Sequence, residues 1–216
     1  KGGAVSIHCR LAPEPGDITA IRLSPGEADA IIGGDLVTTA SPKVQALMER
    51  GRTGVLCNTA EITTGQFTRD TGFSLPMAAM RRAVAARVGE DRLRMIDATR
   101  LAERLTGDAI FANVLLLGAA WQAGLVPLSE AALLKAVELN GAAVETNARA
   151  FALGRWAVAC PGDARAAIDG DTTPAEEPLD AKIARRAAFL TGYQNARLAR
   201  RYTRLVERAR EAGDRK

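Results

Sequence analysis

Histidine is almost absent from this 216-residue sequence, and so are closely spaced cysteines. Because His8 is the only histidine, a Ser-His-Asp triad or a multi-histidine metal site would have to be built around that one residue. Cys9, Cys57 and Cys160 lie far apart and form no C-x-x-C pair. This spacing argues against a disulfide framework, a zinc site and an iron–sulfur site, and it fits a reducing compartment. We therefore expect a cytoplasmic protein without a metal site of its own.

Aromatic residues and long apolar runs are also scarce. Aromatics make up 4% of the sequence, against 47% hydrophobic and 25% charged residues, so a core of Ala, Leu, Val and Ile is expected. Such a core favours packed helices and a parallel sheet over an aromatic-rich β-sandwich. The most apolar run, Ala109 to Trp121, is shorter than the roughly 20 residues that a membrane-spanning helix needs. The sequence therefore predicts an α/β protein without a membrane span.

The start of the sequence has neither an initiator Met nor the pattern of a signal peptide. Secretion is therefore unsupported, and we expect the chain to be a fragment of a longer protein.

Positive charge is concentrated at the end of the sequence. Residues 1–180 contain 18 Lys and Arg against 22 Asp and Glu, whereas residues 181–216 contain 11 against 3. Binding of nucleic acid by these arginines is one alternative, and it predicts salt-sensitive binding that is lost when residues 181–216 are removed. Few aromatic residues accompany the arginines, so we favour a solvated face or an acidic partner domain, with no nucleic acid.

The first half of the sequence alternates short apolar segments with turn residues in a β-α-β rhythm. The pattern predicts strands at 4–11, 18–23, 35–40, 53–58 and 93–96, and helices at 25–32, 42–50, 75–88 and 99–105. A nicotinamide-dependent Rossmann enzyme is a second alternative, but no G-x-G-x-x-G follows any of these strands.

Helical patterns follow one another from residue 108 onward. Asp108 caps a predicted helix that Gly124 stops, Ser129 caps another through Leu139, and a third ends near residue 159. Three prolines and several acids give residues 160–178 the composition of a linker. Residues 179–212 then predict one long basic helix or a helical pair. The expected domains are 1–159, a linker at 160–178, and a basic helical extension at 179–216.

Several motifs carry a resemblance to a known family. They are NVLLLGAAWQAGLVPLS at 113–129, AVELNG at 136–141, Asn147, AFALGR at 150–155, KGGAV at 1–5 and TGQFTR at 64–69. These segments resemble the γ-type domain of bacterial indolepyruvate (2-oxoacid):ferredoxin oxidoreductases. The segment IARRAAFLTGYQN at 183–195 is similar to the helical region that follows this domain in fused forms. The family usually has a Ser where Ile7 stands and often a His where Ala60 stands.

The resemblance implies a three-layer α/β/α γ domain over residues 1–159, without the family's upstream glycine-rich segment. Residues 179–216 would then begin a following domain. It also implies a part of an enzyme that oxidatively decarboxylates an aryl 2-oxoacid with thiamine diphosphate and passes electrons through iron–sulfur clusters to ferredoxin. This chain has no Gly-Asp-Gly with a downstream Asn-Asn, and no grouped cysteines.

The cofactors are therefore expected elsewhere in the enzyme. We expect thiamine diphosphate, Mg and the iron–sulfur clusters on thiamine-binding and ferredoxin-like domains or subunits of an oligomer. The chain alone is expected to be inactive and to have no catalytic residue. Ferredoxin and the 2-oxoacid are expected partners, and CoA is a further candidate.

Two segments supply most of the candidate residues at the substrate or at a domain interface. His8 and Arg10 share one face of a predicted strand and could hold a carboxylate, although a satisfied core or interface histidine is the alternative. Asn58, Thr64 and Gly65 follow another predicted strand, where open α/β sheets bind ligands, although a plain capped loop is the alternative. The complete set of candidates is Gly2, Gly3, His8, Arg10, Asn58, Thr64 and Gly65.

Overall fold

A three-stranded parallel sheet lies within the first of two units of the chain. The computed structural model describes residues 5–60, 76–169 and 178–213. The strands are β1 (Ala30–Gly33), β2 (Gly54–Asn58) and β3 (Leu93–Ile96), in the order β1-β2-β3. Val55 of β2 is paired with Ile31 on one side and Leu93 on the other. The mixed α/β class is therefore confirmed.

Eight helices accompany the sheet in the described part of the first unit, residues 1–169. They are α1 (Leu36–Thr39), α2 (Pro42–Gln45), α3 (Met77–Val88), α4 (Ala98–Thr106), α5 (Ala112–Gln122), α6 (Glu130–Asn140), α7 (Val144–Ala159) and α8 (Pro161–Asp169). The predicted strands at 53–58 and 93–96 and the predicted helices at 75–88 and 99–105 are confirmed within two residues. The helix predicted to begin at Pro42 is shorter than expected.

Helix ends follow the capping residues that the sequence supplies. The Asp97 carboxylate accepts the backbone N–H of Arg100 at the start of α4, and the Ser129 hydroxyl accepts the N–H of Ala132 at the start of α6. Gly107 ends α4 in the left-handed region, with φ of 86°, where glycine carries no steric penalty. The predictions that Ser129 caps a helix and that another helix ends at Ala159 are confirmed.

Two predicted strands near the start of the chain are wrong. Residues 5–11 and 18–23 are irregular in the structure, whereas strands were predicted at 4–11 and 18–23. The polar residues that alternate in residues 5–11 do not belong to a strand, because this segment pairs with no strand among the described residues. Instead, His8 and Arg10 make hydrogen bonds with the irregular segment that follows, at Arg22 and Leu23.

Two further predictions are wrong, because a predicted helix contains a strand and a predicted strand contains a helix. The predicted helix at 25–32 is replaced by a turn and then β1, because Gly26 adopts a positive φ of 72° that a helix does not accommodate. The predicted strand at 35–40 is replaced by α1. Asp35 accepts the backbone N–H of Thr38 at 2.6 Å, and this N-cap outweighs the strand preference of Val37, Thr38 and Thr39.

Apolar side chains pack against both faces of the sheet. On β2, alternation places Val55 and Cys57 on one face and Leu56 on the other. Val55 and Cys57 belong to a buried cluster with Val84 and Val88 of α3. Leu56 belongs to a second cluster, formed mainly by α4, α5 and α7. Both faces of the central strand are therefore buried, which explains why all five of its residues are inaccessible.

Helices α5 and α7 approach each other backbone to backbone. A Cβ atom built on Gly118 of α5 would overlap the backbone carbonyl of Phe151, and one built on Gly154 of α7 would overlap that of Leu115. The two glycines therefore allow the close approach of the helices, and the extensive α5–α7 contact depends on them.

The predicted linker at 160–178 begins too early, because residues 161–169 form α8. Pro161 suits the first turn of a helix, and Asp163 follows it in the same turn. Ala164 and Ile168, four residues apart, are buried in the cluster that includes α4 and α7. The first unit therefore extends to Asp169, and residues 170–177 lie outside the described residues.

The second unit contains two helices, α9 (Leu179–Tyr193) and α10 (Ala196–Gly213). The helical pair, one of the two predicted alternatives, is therefore confirmed. The Asn195 side chain accepts the N–H of Leu198 at 3.0 Å and caps α10. The two helices pack against each other, and Ala199 of α10 is buried.

Across residues 5–60, 76–169 and 178–213, no helix combines the length and the apolar character needed to cross a membrane.

Candidate functional site

Asn58 joins the carboxyl ends of all three strands. Its Nδ2 atom donates to the carbonyl oxygen of Gly34 at 3.2 Å, just beyond β1, and to the hydroxyl of Thr99 at 2.9 Å. Its Oδ1 atom accepts the N–H of Ala98 at 3.0 Å, just beyond β3, and the N–H of Ala60 at 3.3 Å. The side chain is buried, with 4% of the residue exposed.

These four hydrogen bonds use both donors and both lone pairs of the amide. Asn58 therefore lies at the strand end where the sequence predicted it, and it holds the loops there in position. No hydrogen-bonding capacity of its side chain remains for a ligand. Thr64 and Gly65 lie outside the described residues, so their predicted role at this end of the sheet stays a prediction.

A cleft of about 480 Å³ lies beside β3 and extends to this end of the sheet. Its apolar lining includes Leu56 of β2, Leu101 of α4, and Ala164 and Ile168 of α8, all of which are buried. The cleft therefore has an apolar floor formed by a strand and two helices. Its size lies within the range of small-molecule sites, about 300–1,000 Å³.

Charged residues from three elements surround this floor. Arg94 of β3, Arg100 of α4 and Arg165 of α8 all line the cleft, together with Asp97 and Asp169. All three arginines are exposed. The sequence does not indicate this group, because its members are far apart along the chain. The available signal was Arg94, a charged residue in the middle of an apolar strand.

His8 and Arg10 are held by a different part of the chain. The Nδ1 atom of His8 accepts the N–H of Leu23 at 3.0 Å, and the guanidinium of Arg10 donates to the Glu27 carboxylate at 2.6 Å. The Arg10 guanidinium also donates to the carbonyl oxygen of Arg22 at 2.9 Å. Both candidates therefore already have partners in the turn before β1, and their predicted role at a substrate stays a prediction.

The Glu27 carboxylate also accepts the N–H of Ser24 at 2.6 Å. This backbone hydrogen bond, followed by the hydrogen bond from Arg10, lowers the pKa of Glu27 below its usual value. Because the folded-state pKa is lowered, its contribution to stability is present above pH 4.5 and is lost as the pH falls through the lowered pKa.

The two groups of candidates lie at different ends of the sheet. The turn that binds His8 and Arg10 leads into the amino end of β1, whereas Asn58 is the last residue of β2. Gly2 and Gly3 lie outside the described residues. The structure therefore does not bring the described candidates into one site.

A sequence model of the pyruvate ferredoxin/flavodoxin oxidoreductase family matches residues 1–157. The chain belongs to this family. The resemblance in the sequence is therefore confirmed at the level of 2-oxoacid:ferredoxin oxidoreductases, which are multi-domain or multi-subunit enzymes that work with ferredoxin or flavodoxin. The chain is accordingly a module of an oxidoreductase of this kind. Searches of curated proteins and of solved structures gave no match.

Two side chains that could serve as cofactor ligands, those of Asp35 and Cys57, already have other contacts in the structure. In the Gly33-Gly34-Asp35 segment, the Asp35 carboxylate caps α1. Burial raises the pKa of the Cys57 thiol to about 11, so the thiol is neutral and packs in the apolar cluster with Val55 and Val84. Within the described ranges, no three His, Cys, Asp or Glu side chains are grouped as a metal site would require.

Proposed function

We propose that this chain is the γ-type module of an indolepyruvate:ferredoxin oxidoreductase whose redox cofactors lie on other domains or subunits. The observation that carries the proposal is the family match over residues 1–157. The motifs at 113–129 and 150–155 resemble those of indolepyruvate:ferredoxin oxidoreductases, and this resemblance is the reason for proposing that member of the family. A three-layer α/β/α arrangement belongs to the same proposal, and it is supported by the apolar clusters on the two faces of β2.

In this proposal the partners hold thiamine diphosphate, Mg and the iron–sulfur clusters, and bound thiamine diphosphate supplies the carbanion stabilisation that decarboxylation needs. The residues of this chain shape the assembly and exclude water from the neighbouring active site. Contact with CoA, a cytoplasmic location and an oligomeric enzyme are parts of the same hypothesis. The sequence supports this division of labour, because it has no Gly-Asp-Gly with a downstream Asn-Asn and no grouped cysteines.

An exposed apolar face supports docking to another part of the enzyme. Val5, Ile7, Leu11 and Ile21 are exposed, with 75%, 80%, 60% and 91% of their surface accessible. Large apolar side chains grouped in one exposed region are typical of a surface that another protein covers. The two segments that carry these four residues, the N-terminal apolar face, are joined by the hydrogen bonds of His8 and Arg10 with the 22–27 turn. We place the interface with the thiamine-binding partner on this face.

Substitution Ile7→Asp should weaken the association of this chain with the thiamine-binding partner by at least about tenfold, or about 1.4 kcal/mol. A carboxylate buried at the interface would lose its hydration without gaining a counterion. Dissociation constants from sedimentation or calorimetry would measure the effect.

Leu139→Asp is the matched control, because Leu139 of α6 is equally accessible, at 78%, and lies outside the N-terminal apolar face. We expect this variant to associate like the unmodified chain. Equal affinity of the Ile7→Asp variant and the unmodified chain would remove the proposed interface.

A further inference from the structure

We propose that the cleft beside β3 binds an organic anion with one carboxylate or phosphate group on an apolar body. This inference goes beyond the proposed function, because binding would be a property of this chain alone. It depends on three features of the cleft: unpaired cations, an apolar floor, and the balance of charge around the opening.

The cations of the cleft form no direct ion pair in the described part of the chain. None of the guanidinium groups of Arg94, Arg100 and Arg165 has a hydrogen-bond or ion-pair partner among residues 5–60, 76–169 and 178–213. Some other exposed arginines of the same unit are paired, as Arg52 is with Asp29 and Arg81 with Glu90. The cleft therefore has three arginines in its lining that form no direct ion pair with a described residue.

Guanidinium groups suit one class of ligand group. Their planar donors match the paired oxygens of a carboxylate or a phosphate, so an oxyanion is the complementary partner. Because the three arginines come from β3, α4 and α8, an oxyanion bound between them would contact elements that are distant in the sequence. Thr59, a residue with a hydroxyl group, also lines the cleft.

The acidic residues limit the charge of the ligand. Asp97 and Asp169 line the same cleft, so the three arginines leave a net charge of one positive unit. The Asp97 carboxylate also accepts a hydrogen bond from the backbone N–H of Arg100, at 3.0 Å. A polyanion would be repelled by both carboxylates, whereas a ligand with one anionic group matches the balance.

The apolar floor of the cleft favours a ligand whose remaining part is apolar. Leu56, Leu101, Ala164 and Ile168 present apolar surface next to the charged opening. Covering that surface with an apolar group removes it from water at about 25 cal/mol per Å². An anion without an apolar body would leave this surface exposed, so inorganic phosphate should bind less well than an aryl anion of the same charge.

The test uses the full 216-residue chain and four probes in low-salt buffer: 3-phenylpropionate, phenyl phosphate, inorganic phosphate and benzyl alcohol. NMR titration of backbone amides would give dissociation constants and the location of binding. We expect saturable binding of at least one aryl anion at β3, α4 and α8. Inorganic phosphate and the neutral alcohol should bind at least about tenfold more weakly. The ratio between the two aryl anions identifies the preferred oxyanion.

Arg94→Gln and Arg165→Gln should each weaken binding of the aryl anion by about tenfold, because each removes one charge from the opening. Arg82→Gln is the control, since Arg82 is an exposed arginine of α3 outside the cleft, and it should leave binding unchanged. No saturation up to about 10 mM, or equal affinity in both cleft variants and the unmodified chain, would overturn the proposal. Neither result depends on partner domains, so failure here is distinguishable from failure of the proposed function.

Discussion

Replacing Gly118 with alanine should lower the free energy of unfolding of the first unit by about 3 kcal/mol. A methyl group at this position of α5 would overlap the backbone carbonyl of Phe151 in α7. A flexible side chain could move aside, but a helix backbone moves only if the whole α5–α7 contact opens. The cost should therefore lie at the upper end of the range for overpacked cores. Urea unfolding followed by circular dichroism would measure it.

Gly162→Ala is the control for this substitution. Gly162 also lies in a helix, α8, but no atom comes within 4 Å of an added Cβ. Because alanine favours helices more than glycine, this variant should be unchanged or more stable by up to about 1 kcal/mol. A loss of less than about 1 kcal/mol in the Gly118→Ala variant would mean that the two helices do not approach as closely as described.

Replacing Asn58 with leucine should also cost about 3 kcal/mol, because it removes four hydrogen bonds from a buried position. The N–H of Ala98 and the carbonyl oxygen of Gly34 would lose their partner while leucine occupied a similar volume. The loops that leave β2 and β3 would no longer be tied together. We therefore expect faster hydrogen exchange at Ala98 in addition to lower stability.

Thr99→Val provides the graded comparison, since it removes only the hydrogen bond between the Thr99 hydroxyl and Asn58. Its cost should be about 1 kcal/mol, and exchange at Ala98 should change little, because Asn58 still accepts that N–H. If the two variants had the same stability, Asn58 would not be the residue that joins the strand ends.

The middle of the chain could be predicted because several local signals agree there. Apolar periodicity and the capping residues Asp97 and Ser129 predict the same helices, and the structure contains these helices as α4 and α6. Near the start, local signals conflict. Val37, Thr38 and Thr39 favour a strand, but the Asp35 cap gives a helix that lasts one turn.

The candidate site could be predicted only in part, for a geometric reason. The position of Asn58 follows from the sequence. In open α/β sheets, polar residues of functional sites generally lie just beyond the carboxyl ends of the strands. The pairing of Arg10 with Glu27 does not follow, since no pattern links an irregular segment to a residue 17 positions later. The arginine-lined cleft likewise requires the packing of α8 on the unit, and the sequence predicted a linker there.

Ferredoxin reduction tests most directly whether this chain is a dependent module. The assay would compare the purified chain, the thiamine-binding and ferredoxin-like partners, and all of them together, each with indolepyruvate, thiamine diphosphate, Mg and CoA. We predict no reduction by the chain alone, little by the partners alone, and full activity by the assembly. Reduction of ferredoxin by the chain alone, or an undiminished rate without it, would contradict the proposed function.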